Sequence, residues 1–177
     1  MLWYFDPIDG YPAPWVHALI HNTFGAFLAW ALRKVTPDTN PDLVISREAR
    51  RRIALMGAGG ACEIIPTADI GRSYKCVLKH LGQYTFEDYK NLALVYGKHV
   101  FAGDDVMPAK VRGMYDNLVT AIAHYSSFGD FTNAARKEAW LALLAYAQTV
   151  EQEPECQQLL TPSLHVCLCR WVDWITH

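Results

Sequence analysis

Histidine and cysteine recur four residues apart at three places in this chain: His17 and His21, Cys76 and His80, and His165 and Cys169. Residues at that spacing project from one face of an α-helix, so each pair can offer two donors to a single ion. Imidazole nitrogen and thiolate sulfur are the donors zinc prefers, in tetrahedral geometry. The run from His165 to Cys169 holds a third donor, Cys167, but on a helix it lies about 200° around the axis from the other two. Neither the Cys-x-x-Cys of a structural zinc site nor the His-Glu-x-x-His of a zinc protease is present, since Ala-Leu-Ile stands at 18–20. The competing interpretation is packing, because cysteine is among the residues most often enclosed in a core. A Cys76–His80 nucleophile is disfavoured by Val77 and Leu78, apolar neighbours that raise a thiol pKa.

Four other groups of residues bear on function. Arg47, Arg50 and Arg51 share a helical face and could meet phosphates or an acidic partner, while Glu48 is placed to pair with Arg52. Gly57-Ala-Gly-Gly60 lacks the following Lys and the strand-to-helix setting of a phosphate loop, so it reads as a helix break. Asp104 and Asp105, with Asp116 beyond them, read as turn and cap residues rather than an acid–base pair. The N-terminal stretch 1–14 is rich in aromatics and proline, and Trp3, Tyr4, Phe5, Tyr11 and the adjoining Trp15 form either a strap across the fold or an anchor for a partner.

The elements that must position these residues are helices. Apolar side chains from Trp15 to Val35 cover most of a helical circumference, which suits a helix buried on several sides. That helix is expected to start near Pro14 and to stop at Thr36-Pro-Asp-Thr-Asn-Pro41. Ser46 is a candidate N-cap for a second helix, and a short third is expected from Tyr74 to Leu81. Thr85-Phe-Glu-Asp88 resembles a capping box with Asp replacing Glu. Pro108 opens a helix carrying Val111, Met114, Tyr115, Leu118 and Ile122. A further helix carries Trp140, Leu143, Ala147 and Val150, and Thr161-Pro162 starts the last. Leu43-Val-Ile45 and Glu63-Ile-Ile65 could form a minor two-stranded β element. The fold class is therefore all-α, a single-domain bundle over 1–177 of six or seven helices.

Composition narrows the function classes. Apolar residues make up 51% of the 177 and charged residues 19%, which fits a chain with a sizeable core and argues against disorder. A formal net charge of −2 disfavours a surface given over to nucleic acid. The segment Trp15–Leu32 carries no Asp, Glu, Lys or Arg, but His17, His21, Asn22 and Thr23 would be costly in lipid, so no membrane span is expected. Five irregularly spaced cysteines, and an opening Met1–Gly10 without a secretory pattern, lead us to expect reduced thiols and a cytoplasmic location.

The preferred function is a small non-catalytic interaction protein, an inhibitor or adaptor that occludes or bridges a macromolecular partner. It would bind a protein, with a homodimer as one form, and need no cofactor. Its rivals are a zinc-dependent enzyme or metal-stabilised domain built on the His/Cys pairs, and a nucleic-acid-associated regulator using the Arg47–Arg52 helix.

Overall fold

A helix with no charged side chain has to be enclosed, and the fold is arranged around that requirement. The computed structural model describes residues 16–33, 36, 40–56, 74–101, 103, 106–126 and 132–173. Val16–Phe24 is wound as a π-helix and runs directly into α1 (Gly25–Ala31). The wide turn is accompanied by a side-chain bond of matching reach: the Thr23 hydroxyl donates to the Ala18 carbonyl, five residues back, at 2.7 Å. Leu19, Ile20, Phe24, Phe27, Leu28 and Ala31 are all fully buried, while His17, His21, Asn22 and Ala29 are exposed.

Three helices pack on Val16–Phe24: α4 (Phe86–Asn91), α6 (Ala109–Ser126) and α8 (Pro162–Asp173). The remaining helices are α2 (Arg47–Met56), α3 (Val77–His80), α5 (Gly97–Val100) and α7 (Asn133–Gln152). A π-helical stretch, Leu92–Tyr96, joins α4 to α5 without a break. The eight α-helical segments among the described residues thus make seven rods, an all-α architecture with one contiguous core. No strand forms among the described residues. Pro41–Leu43 is a 3-10 turn capped by Asn40, and Val44 is extended (φ −141°, ψ 141°). The pairing segment expected at 63–65 lies outside the described residues, as do the helix start near Pro14 and the stretch 57–60. No helix among the described residues is long and apolar enough to cross a membrane.

The caps follow from local chemistry. Thr132 Oγ1 accepts from the Ala135 amide at the start of α7, and Thr161 Oγ1 accepts from the Leu164 amide at the start of α8. The third helix is shorter than expected: it starts at Val77 rather than Tyr74, and Leu81–Gln83 then tightens into a 3-10 turn. On α7 the buried stripe is Ala139, Ala142, Leu143, Tyr146, Ala147 and Val150, while Trp140 stays half-buried, with its indole N–H donating to the Leu168 carbonyl.

Aromatic rings fill the centre. Tyr115 on α6 stands 6.1 Å from Phe24, 6.4 Å from Phe27 and 5.2 Å from Phe101, between ring centroids. Gly97 makes this approach possible: a Cβ there would fall on the Tyr115 hydroxyl and lie 2.5 Å from the Leu92 carbonyl oxygen. The Tyr115 and Tyr146 hydroxyls are enclosed without a hydrogen-bond partner, and burial drives both phenol pKa values upward.

The capping box at α4 is complete and carries a charge. Asp88 Oδ2 accepts from the Thr85 amide at 2.9 Å, from the Thr85 hydroxyl at 2.9 Å and from Lys75 Nζ at 2.8 Å. Burial alone would raise the Asp88 pKa, but the bonds from Lys75 and Thr85 outweigh it and hold the carboxyl below its ordinary value. A depressed carboxylate pKa stabilises the fold above the unfolded-state value of about 3.9, and that stabilisation disappears as pH falls through the folded-state value. Asp88→Asn is therefore expected to lower stability at pH 7 by about 1–2 kcal/mol and to flatten the loss of stability below pH of about 4. Urea midpoints measured across that range check it; parallel pH profiles for the two proteins would rule the assignment out.

Candidate functional site

The three His/Cys pairs have different fates once the helices are assembled. On Val16–Phe24, His17 and His21 are both exposed, with ring centroids 6.3 Å apart and edges meeting. His21 Nδ1 lies 3.3 Å from Asn22 Oδ1, its ring sits 5.7 Å from that of Tyr89, and Asn22 Nδ2 donates to Ser163 Oγ at 2.9 Å. Asn22 thus ties the π-helix to α8, while His21 lies against Tyr89 of α4.

The second pair separates. Cys76 is the N-cap residue of α3, with extended-side ψ of 113°, and its thiol is buried; His80 ends the same helix exposed, 3.4 Å from Gln83 Oε1. The shared face expected from four-residue spacing needs both residues inside one regular helix, and here the first lies just outside it. The third pair is brought together. His165 and Cys169 are both exposed on α8, with Cys169 Sγ 3.6 Å from His165 Nδ1. Cys167, between them, points into the core, and burial pushes its thiol pKa up to about 12. Cys156 is also buried, and burial followed by Glu153 pushes its thiol up to about 11. Among the described residues no group of three or more His, Cys, Asp or Glu is placed to hold a metal ion.

The arginines behave differently from a phosphate-binding face. Arg47 and Arg51 are exposed, and Arg51 Nη1 stands 3.4 Å from Glu48 Oε2. Arg50 turns inward. Its Nη1 donates to the Leu32 carbonyl and, at 2.8 Å, to the Arg33 carbonyl. Those carbonyls lie just past the C-terminal end of α1, where the helix has spare acceptors and negative dipole potential. Arg33 does similar work, donating to the carbonyls of Trp30 at 2.8 Å and Leu43 at 3.3 Å and pairing with Glu155 at 3.3 Å. Its guanidinium stands 4.4 Å over the Trp30 ring, whose indole N–H donates to the Glu155 carbonyl at 3.2 Å. Arg112 repeats the device at the end of α5, with bonds to the carbonyls of Phe101 at 2.6 Å and Gly103 at 2.9 Å.

Arg33 and Arg112 were not among the sequence candidates. A signal existed for Arg33, since a cation directly after a long apolar helix is where the unpaired carbonyls lie. Arg112 sits in its own helix and reaches a neighbour, which no local pattern records. The aromatic candidates Trp3, Tyr4, Phe5, Tyr11 and Trp15 lie outside the described residues, as do Asp104 and Asp105; Asp116 is exposed on α6.

No family model, curated protein or solved structure matches this chain.

The helix-end role of Arg50 separates it from its neighbours. Arg50→Ala is expected to lower stability by about 1–3 kcal/mol, since it strips a charged donor from two carbonyls. Arg50→Lys recovers only part, because one ammonium replaces a fork. Arg47→Ala and Arg51→Ala, exposed, should stay within about 0.5 kcal/mol of wild type. Urea midpoints at unchanged m-value distinguish them, and equal effects at the three positions would refute the distinction.

Proposed function

We propose that this protein is a small non-catalytic interaction module, working as an inhibitor or adaptor that occludes or bridges a protein partner. One observation carries this reading: three arginines and three of the described thiols are committed to the scaffold, and Cys169 is the described thiol left exposed. The guanidinia of Arg33, Arg50 and Arg112 are bonded to main-chain carbonyls, and the thiols of Cys76, Cys156 and Cys167 are buried. What the described surface offers beside them is apolar contact. Leu55 (66% exposed), Leu141 (47%) and Leu160 (45%) are its large exposed hydrophobic side chains. Leu160 stands three residues before Ser163, whose hydroxyl accepts from Asn22 Nδ2.

The nucleic-acid reading is weakened by the same geometry, because Arg50 is occupied at the end of α1 and only Arg47 and Arg51 of the expected face remain outward. The test is a comparison of wild type with Leu55→Glu, Leu141→Glu and Leu160→Glu. Each substitution is at the surface and should change the unfolding midpoint little. Wild type purified from native lysate is expected to carry a stoichiometric protein partner or to self-associate, and at least one variant should weaken that association by about tenfold or more, the loss of roughly 1.4 kcal/mol. A wild type that runs as an inert monomer, or three variants that associate as wild type does, would defeat the proposal.

A further inference from the structure

The geometry points to a surface zinc-binding chelate formed by Cys169 and His165 on α8. The argument is a distance. Zinc takes thiolate sulfur at about 2.3 Å and imidazole nitrogen at about 2.0–2.1 Å. With the tetrahedral angle of about 109° between them, the two donor atoms must stand about 3.5 Å apart. Cys169 Sγ and His165 Nδ1 are 3.6 Å apart without any ion present. The four-residue spacing within a twelve-residue helix fixes both Cβ positions on one face, and the χ angles of the two exposed side chains complete the bite.

The other His/Cys pairs do not share this property. His17 and His21 keep their ring centroids 6.3 Å apart, with His21 Nδ1 beside Asn22. Cys76 is buried at the helix boundary while His80 faces outward. Cys156 and Cys167 are enclosed, where desolvation opposes the thiolate that a metal requires. Cys169 is the exposed thiol among the described cysteines.

Binding balances simply. The Cys169 thiol gives its proton to solvent and its sulfur binds Zn²⁺ as thiolate; His165 binds through the Nδ1 lone pair with its proton on Nε2; nothing is oxidised or reduced. Both side chains are exposed, so the other two tetrahedral positions are open to water or to a donor from another molecule. This open pattern differs from a four-ligand structural site, and the fold does not depend on the ion for its core.

Cobalt(II) titrated into the metal-free full-length chain tests the site, because a thiolate ligand gives a near-ultraviolet charge-transfer band. The band should grow to one equivalent, disappear when zinc is added, and weaken on acidification as the thiol and imidazole regain protons. Cys169→Ser should abolish it. His165→Gln should weaken cobalt affinity by more than the roughly 10–100-fold that an outer-sphere partner is worth. Both variants alter exposed side chains, and unchanged helical circular dichroism confirms that each is folded. Absence of the band in wild type, or its persistence in Cys169→Ser, would overturn the assignment and leave the 3.6 Å contact as a hydrogen bond alone.

Discussion

Everything in this fold answers to the helical rod from Val16 to Ala31, which carries no charged side chain and presents apolar residues to nearly every direction. A rod of that kind cannot lie on a surface. It is enclosed by α4, α6 and α8, and the helices that do the enclosing contribute the aromatic rings that fill the centre. Its first turns stay partly open on one side, where His17 and His21 face solvent and Asn22 bonds to Ser163 of α8. Its polar residues cluster at the open end, and its fully apolar turns lie at the closed end.

The closed end creates a second requirement. A buried helix terminus leaves carbonyls that water cannot reach, and each unpaired one would cost on the order of 1–3 kcal/mol. Arg33 and Arg50 meet this need from two directions, one continuing the chain and the other crossing from α2. Arg33 also pairs with Glu155, which ties the segment before α8 to the same end of the rod. The rod is thus held at one end by α8 packing and at the other by guanidinium–carbonyl bonds. Because these cations are spent on the main chain, the net charge of −2 is a poor guide to what the surface can bind.

The helical pattern was legible because apolar period and punctuation agreed. The stripe Val111, Met114, Tyr115, Leu118 and Ile122 is buried as its spacing requires, and Thr85-Phe-Glu-Asp88 closes as a reciprocal cap even with the shorter acid. What local pattern could not convey was direction at helix edges. Cys76 and His80 fail to share a face because the helix begins at Val77 rather than Tyr74 and leaves Cys76 as its N-cap, and Arg50 leaves the face of Arg47 and Arg51 because it has carbonyls to reach. Nor does periodicity distinguish α from π winding: both Val16–Phe24 and Leu92–Tyr96 read as ordinary helix in sequence. Directly after the π turn at Leu92–Tyr96, Gly97 leaves room for the Tyr115 hydroxyl, a long-range fit that no local pattern records.

The same distinction explains why His165 and Cys169 stand apart from the other chemically suggestive residues. Four-residue spacing is necessary for two side chains to share an ion, but it is sufficient only when both lie within a regular helix and on its solvent face. α8 satisfies both conditions, because its buried stripe passes through Leu164 and Cys167 and leaves 165 and 169 outward. Cys167 makes the point from within the same turn: an identical thiol two residues away is pressed into the core, and burial removes it from metal chemistry. Helical phase, set by which residues the rod Val16–Ala31 needs for its enclosure, thereby decides which thiol of α8 is available to react.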